Sequence, residues 1–355
     1  MKIALIGIYP PPYGGISVHI QRLSSHLKAR NVGHTIYDIS GVGKNVDGVV
    51  CVHGINRWLL KYIFFAREDI IHYHSSNWLL RIVFGLMSFL GKKTIVSVHG
   101  ESLNTSLKKS GRLCKMVIKF ALKHTSFIIA DNQRIKNLAL SLEVSPDKIT
   151  VLPAFIPPPA KEEDFTGIPE YILRFIDSHK PIISGTACQI SFVEGIDLYG
   201  LDLCVELVSS LQKNYPKIGL VFCLPVIGDR PYFNSVLEKV RYKKLDDNIL
   251  FVTEPLVEAY PVWAKSDIFV RPTFTDGDSL SIREAMHFNV PVVASDTVPR
   301  PGGVVLFKNR DLNDFVVKVE IVLERGKRSD LYMSNNQGAG NEFDKFLEVY
   351  NELAK

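Results

Sequence analysis

The chain has 355 residues, too many for one ordinary compact core, so two α/β domains are the natural expectation. Its 46% hydrophobic and 22% charged residues describe a globular protein, and no apolar run reaches the roughly 18–20 residues a membrane-spanning helix needs. The formal net charge of +5 conceals a split: residues 1–155 hold 20 Lys and Arg against 8 Asp and Glu (net +12), the remainder 22 against 29 (net −7). A basic first half points to an anionic partner.

In chain order, KIALIGIY reads as a strand and GGISVHIQRLSSHLKARN as a helix. The apolar start breaks at a proline cluster, so it reads as a first strand rather than a signal-peptide core. TIYDIS, DIIHYH, KTIVSVHG, SFIIADN and KITVLP follow as strands. VLPAFIPPPAKEEDF, with four prolines and a charge run, reads as an interdomain connection. The alternation then restarts. PIISGTA, IGLVFCLPVI, NILFVTE, DIFVRPT, PVVASD and GGVVLFK are strands, with LDLCVELVSSLQKNY, YFNSVLEKVRYKKL, LVEAYPVWAKS, SLSIREAMHFN and LNDFVVKVEIVLERG as helices. After a polar break, SNNQGAGN, the chain closes on an amphipathic helix over 341–355. This order predicts two parallel-sheet domains, 1–155 and 160–335, with the last helix returning to the first. Ligands in such folds bind beyond the carboxyl ends of the strands.

Cys51, Cys114, Cys188, Cys204 and Cys223 are odd in number and lack CxxC spacing, which argues for a reduced, cytoplasmic protein. The densest chemical signal is VRPTFTDGDSLSIREAMHFNVPVVASD at 270–296. A strand ends at Pro272, just after Arg271, a polar loop follows, and a helix starts near Asp278 or Ser279. Backbone N–H groups of Ser279 and Leu280 there suit a phosphate. Asp276 and Glu284 can accept hydroxyls at two points of an extended sugar nucleotide. A capped loop with a surface glutamate is the plain alternative.

On these residues the chain resembles the family 4 retaining glycosyltransferases of the GT-B fold. Their signature pairs two carboxylates across seven residues, then Ala-Met and Gly-x-Pro-Val-Val-Ala. Here it stands as Asp276, Glu284-Ala285-Met286 and Asn289-Val290-Pro291-Val292-Val293-Ala294. The resemblance implies two Rossmann-like domains across a cleft, with Asp276 on the transferred sugar and Glu284 on the nucleotide ribose. YPPPYGGISVHIQ resembles the family's Gly-Gly loop, so Gly14 and Gly15 would approach a diphosphate, with His19 on the helix that follows. His19 reads equally as a packing histidine. VSVHGES resembles the segment whose histidine lines the sugar pocket, which nominates His99 as a catalytic-site residue. His72 and His74, at period two, share one strand face, yet no third metal ligand is evident and the family needs none. Asp276-Gly277-Asp278 also spells a metal-binding DxD, which the fold pattern disfavours.

One departure stands out. Where the family carries an arginine and a lysine for the donor diphosphate, this chain has Gln189 and Glu194. Arg271, Arg300, Lys308 or the helix start at Ser279 are the substitutes on offer, and a non-catalytic partner subunit is the alternative. A sugar-nucleotide epimerase is a second alternative.

From Ser102 to Ala130 there is no acidic residue, and Lys108, Arg112, Lys115, Lys119 and Lys123 share a helix face. Leu113, Met116, Val117, Phe120 and Ala121 supply apolar area. RWLLKYIFFAR mixes aromatics and cations in the same way. Such a face, with His19 grouped on the same acceptor side, reads as a membrane-surface or anionic-acceptor site, or as a solvated face over a buried stripe. No nucleic-acid motif accompanies the charge. The whole predicts a metal-independent, cofactor-free transferase using a nucleotide-sugar co-substrate. Its acceptor would be a glycan or a polyprenyl-diphosphate lipid, and it would sit peripherally on the inner face of the cell membrane in polysaccharide synthesis.

Overall fold

The computed structural model describes all residues except 43–45, 75–76, 101, 160 and 327–341. The SNNQGAGN break lies outside the described residues. The chain divides into two compact units, one formed by residues 1–159 with the C-terminal helix, the other by the residues between.

The first unit runs β1 (Lys2–Gly7), α1 (Gly15–Ala29), β2 (Gly33–Asp38), β3 (Val49–Cys51), α2 (Ile55–Phe65), β4 (Ile70–His74), α3 (Trp78–Phe89) and β5 (Lys93–Val98). It continues with α4 (Ser102–Lys109), α5 (Arg112–His124), β6 (Phe127–Ala130), α6 (Gln133–Ser141) and β7 (Ile149–Val151). The strands form one parallel sheet in the order β3-β2-β1-β4-β5-β6-β7. Central strands covered on both faces must be apolar throughout, and β1 and β4 are buried along almost their whole length. On α1, Ile20, Leu23 and Leu27 recur at helical spacing and pack on that sheet, each contributing about 1.5–3 kcal/mol by burial. Gly7 allows the approach: a Cβ there would meet the His74 carbonyl oxygen and Ile20 Cδ1, both at 2.4 Å.

The second unit runs α7 (Glu162–Thr166), α8 (Glu170–Ser178), β8 (Ile182–Thr186), β9 (Phe192–Val193), β10 (Ile196–Asp197), α9 (Leu201–Leu211), β11 (Gly219–Cys223) and α10 (Arg230–Tyr242). Then come β12 (Ile249–Val252), α11 (Tyr260–Ala264), β13 (Ile268–Arg271), α12 (Leu280–His287), β14 (Val292–Ser295), β15 (Val305–Phe307) and α13 (Leu312–Arg325). Its parallel sheet is ordered β12-β11-β8-β13-β14-β15. The strand order reverses between β8 and β13, and that switch point is where open α/β sheets take ligands.

The last helix, α14 (Glu342–Ala354), packs on the first unit. Phe343, Phe346 and Tyr350 enter the core around Ile3, Leu5 and Ile20. Arg30 pairs with Asp344, and the Tyr350 hydroxyl lies 2.6 Å from Nδ1 of His72.

Three features differ from the sequence pattern. The helix read into LVEAYPVWAKS begins only at Tyr260, because Pro261 has no N–H to bond back and fits only the first turn. The edge strand β3 was not foreseen, being three residues long. Nor was the hairpin β9–β10, whose two-residue turn places Glu194 and Gly195 at φ of 55° and 77°.

Candidate active site

At the carboxyl ends of β8 and β13, two loops of the second unit are tied together. Phe274 N–H donates to the Leu198 carbonyl at 2.8 Å, and Gly200 sits so close to Pro272 that a Cβ would fall 2.3 Å from its carbonyl oxygen. Arg271, the last residue of β13, donates from Nη1 to the Thr186 carbonyl at the end of β8 (2.9 Å). Its guanidinium stacks over the Tyr199 ring, 5.0 Å from the centroid.

Asp276 is the hub of this loop. Its Oδ2 accepts from Arg271 Nε at 3.0 Å, from Arg300 Nη1 at 2.9 Å and from Thr273 Oγ1 at 3.3 Å. Its Oδ1 accepts from Arg271 Nη2 at 3.3 Å and from the Gly277 N–H at 3.0 Å. Burial pushes the carboxyl up, but Arg271 and then Arg300 outweigh it and hold Asp276 at about 2. Two guanidiniums against one carboxylate leave the cluster cationic. Arg300 is further held by the Ser295 carbonyl and the Thr273 hydroxyl. Asp278 lies apart from it, both oxygens on Arg283 Nε at 2.7 and 2.9 Å. The two carboxylates of the Asp-Gly-Asp stretch thus face separate arginines rather than converging as a cation pair.

Helix α12 starts where the sequence indicates, with Ser279 as its N-cap and Leu280 first in the helix. The Ser279 hydroxyl meets Ser281 Oγ at 3.0 Å instead of capping the backbone, and the first turn has no acidic residue. Glu284 is buried on this helix, with Oε2 accepting from the Trp263 indole N–H at 2.8 Å. Trp263, on the short helix α11, carries no motif and was invisible in the sequence. Gln189 and Glu194 are both exposed, Glu194 at the hairpin tip, and as an amide and a carboxylate neither supplies a cation.

In the first unit, the loop after β1 enters α1 at Gly14, whose N–H donates to Ser17 Oγ (2.9 Å), while that hydroxyl donates to the Pro12 carbonyl (2.8 Å). A Cβ on Gly14 would meet nothing within 4 Å, so space is open before this helix end. Behind it stand three histidines from separate elements: His19 on α1, His74 ending β4 and His99 just past β5. Their ring centroids are 5.2, 5.3 and 5.8 Å apart. His19 Nδ1 lies 2.6 Å from the Ala154 carbonyl, which fixes the proton there and leaves Nε2 an acceptor. His19 Nε2, both nitrogens of His74 and His99 Nε2 are buried without a partner. Burial lowers His19 to about 4 and His99 to about 3, and takes His74 well below the ordinary value, so all three are neutral near pH 7.

The candidate ligand atoms of these three lie within 4.8 Å of one another. The third ligand missing from the sequence pattern is therefore present, though His72 is not part of the set. His72 lies beside His74, ring centroids 3.7 Å apart, as the alternation required, but spends its nitrogens on Tyr350 and Ser97. Three neutral imidazoles can ligate a divalent cation or hydrogen-bond hydroxyls. His19, grouped from the sequence with the basic face, is 1% exposed and lies within the histidine cluster instead.

The basic residues fall on two helices, not on the face of one as the spacing implied, because the chain breaks at Ser110 and Gly111. Arg112, Lys115, Lys119 and Lys123 lie on α5, with Lys108 ending α4. Lys119 and Lys123 both reach Glu143, at 2.6 and 3.5 Å. The apolar residues divide unexpectedly: Ile118, Ala121 and Leu122 are buried, whereas Leu113, Met116, Val117 and Phe120 are exposed.

Comparisons with known proteins agree with this architecture. A family model described as Glycosyltransferase Family 4 matches residues 13–158, and one described as Glycosyl transferases group 1 matches residues 188–325. A lipopolysaccharide core biosynthesis mannosyltransferase, LpsB of Rhizobium meliloti, is 37% identical over 99 residues, 27% of this chain and 28% of that protein's length. The crystal structure of HepE from Anabaena in complex with UDP superposes with a TM-score of 0.71 at 12% identity, covering 99% of this chain and 100% of that one. A glycosyltransferase from Rickettsia africae gives 0.71 at 17% identity, covering 100% and 99%. These likenesses identify the fold as GT-B. With one family model on each unit, the chain belongs to the family 4 glycosyltransferases.

Proposed function

We propose that this chain transfers a sugar from a nucleotide-sugar donor with retention of configuration, without metal, to a glycan or polyprenyl-diphosphate-linked acceptor in cell-surface polysaccharide synthesis. One observation carries the reading: the loop at the carboxyl end of β13 holds the cationic Arg271–Asp276–Arg300 cluster, and the helix it leads into, α12, carries the buried Glu284. Glu284 accepts the ribose hydroxyls, and the uncapped start of α12 at Ser279 and Leu280 meets a phosphate. Arg271 and Arg300 take the place of the missing Arg/Lys pair and stabilise charge on the leaving diphosphate. Asp276 holds them there. Because its lone pairs are already filled by five donors, it acts first as a positioning residue, and it reaches the sugar only if an arginine moves to the phosphates.

By the family resemblance Gly14 and Gly15 serve the diphosphate and His99 the sugar, and the leaving phosphate takes the acceptor proton. The neutral histidines serve hydroxyls rather than a metal in this reading. HepE binds UDP and UDP-glucose in its crystal structures, and LpsB is named a mannosyltransferase, which makes uridine and guanosine diphosphate sugars the first donors to try. No described helix is long and apolar enough to cross a membrane. The acid-free segment 102–130 supports a peripheral, inner-leaflet location beside a lipid-linked acceptor.

The test is a thermal-shift screen of nucleotide sugars with Glu284→Ala alongside, since a ligand of the folded state raises Tm by mass action. A rise for one nucleotide that the variant loses supports the reading. Activity that survives EDTA and an NMR-assigned anomeric product check metal independence and retention. The second reading, a non-catalytic partner subunit, rests on exposed Gln189 and Glu194 and takes precedence if no nucleotide shifts Tm. An epimerase would instead convert the donor with no acceptor present.

A further inference from the structure

His19, His74 and His99 come from three separate elements, and the fold fixes the position of each. His74 closes β4, where it is paired with Gly7 of β1 and Ser97 of β5. His99 heads the loop after β5, and its carbonyl accepts from the Ser102 hydroxyl at 2.7 Å. His19 lies within α1 and against Phe346 of α14, with ring centroids 5.4 Å apart.

Polar atoms in such a place ordinarily find partners, because a buried donor or acceptor left unmade costs stability. Here His19 Nε2, His99 Nε2 and both nitrogens of His74 are buried with no hydrogen-bond partner among the described residues. His19 Nδ1 lies 2.6 Å from the Ala154 carbonyl, so the ring donates there and keeps a lone pair on Nε2. A backbone carbonyl on the far nitrogen is the arrangement that orients a metal-ligating histidine. One ligand atom from each residue lies within 4.8 Å of the other two. Around a tetrahedral ion with bonds of about 2.0–2.1 Å, neighbouring ligand atoms stand about 3.3–3.4 Å apart. Ring rotations that close the gaps by at most about 1.5 Å therefore complete a site.

We propose that His19, His74 and His99 form a zinc site on the first unit, its fourth position open to water or hydroxide. Uncharged imidazoles select zinc and its transition-metal neighbours over magnesium and calcium, which take oxygen ligands. No carboxylate joins the three among the described residues, and the charges of Arg22 and Arg81 act on His19 and His99. Both features weaken the hold on a dication, so the ion exchanges as a regulator does and is not a permanent structural zinc. It takes the lone pairs that serve sugar hydroxyls in the transferase reading above. Bound zinc therefore switches transfer off, a consequence that rests on that reading.

The test is titration of the chelator-treated full chain with Co²⁺, whose visible absorption reports tetrahedral coordination, followed by displacement with Zn²⁺. One equivalent is expected to bind, and Tm should rise with Zn²⁺ but not with Mg²⁺ or Ca²⁺. His19→Gln and His99→Gln should each weaken binding about a hundredfold. His53→Gln, at an exposed position outside the cluster, should bind like the parent. X-ray absorption at the zinc edge of the parent, which needs no variant to fold, should show three imidazoles and an oxygen. The proposal is overturned if Zn²⁺ leaves Tm unchanged, or if the edge spectrum shows cysteine sulfur or fewer than three imidazoles. It is also overturned if the His19 and His99 variants bind like the parent. Zinc should arrest sugar transfer, and EDTA should restore it. The metal readouts need neither donor nor acceptor, so they stand if the transferase reading fails. Zinc held by three imidazoles with transfer unaffected would overturn the switch alone and take His99 away from the sugar.

Discussion

The indole N–H of Trp263 on α11 donates to Oε2 of Glu284 on α12 at 2.8 Å, joining residues 21 positions apart in the chain. This bond orients the carboxylate proposed to read the ribose. Glu284→Ala should weaken donor binding by about 2 kcal/mol or more, because a charge-assisted pair of hydrogen bonds is lost. Trp263→Phe should weaken it less, by freeing the carboxylate to rotate. Calorimetric titration with the donor that shifts Tm separates the two, and equal affinity in Glu284→Ala and the parent removes the ribose assignment.

The Asp276 cluster predicts an asymmetry between two substitutions. Asp276→Ala leaves Arg271 and Arg300 facing each other without a counter-charge and should cost about 3–5 kcal/mol of stability. Arg300→Gln removes the excess positive charge and should cost less stability but more turnover. Urea unfolding and initial rates on the same two proteins show whether the losses divide this way.

Restoring the absent cations is the complementary experiment. Both Gln189 and Glu194 are exposed, so Gln189→Arg and Glu194→Lys need no repacking. If the diphosphate passes this loop, the double variant should bind donor about tenfold more tightly, near 1.4 kcal/mol. An unchanged Kd places the diphosphate elsewhere.

The histidine cluster makes the first unit sensitive to acid. Burial lowers His19 to about 4 and His99 to about 3 from the ordinary 6.5, and His72 and His74 well below it. The unfolded chain therefore binds protons that the folded chain refuses as pH falls below 6.5. Stability is full above that value and declines steadily beneath it. At pH 5 His19 and His99 should each cost about 2 kcal/mol by linkage. Asp276 adds its own loss only below the usual carboxylate range, between 3.8 and about 2. Denaturant melts at pH 7 and pH 5 of the parent and of His99→Gln test this. The variant should lose less stability between the two.

Helix α14 tests whether the C-terminal segment is structural. Phe346→Ala removes a fully buried ring and should destabilise by about 3–5 kcal/mol. Tyr350→Phe leaves His72 Nδ1 without its partner 2.6 Å away and should cost about 1–3 kcal/mol. Both are read as a drop in Tm, which a merely draped helix would not show.

Much of this molecule follows from local pattern. Apolar runs of four to six residues separated by amphipathic stretches can satisfy their backbone only as parallel strands with crossover helices, so the two α/β units were legible. So was the start of α12 at Ser279, because a polar loop must end where a helix can be capped. What pattern could not convey is contact between residues distant in sequence. Asp276 meets Arg271 from β13 and Arg300 from beyond β14, and only the strand order brings those ends together. His19, His74 and His99 converge because β1, β4 and β5 are neighbours in the sheet while α1 folds back over Gly7. On α5 helical periodicity revealed an apolar side but not its fate. The close seat of Gly85 on Ala121 turns Ile118 and Leu122 inward and leaves Leu113, Met116 and Phe120 facing out. Periodicity sets which residues share a face, and packing alone decides which face is covered.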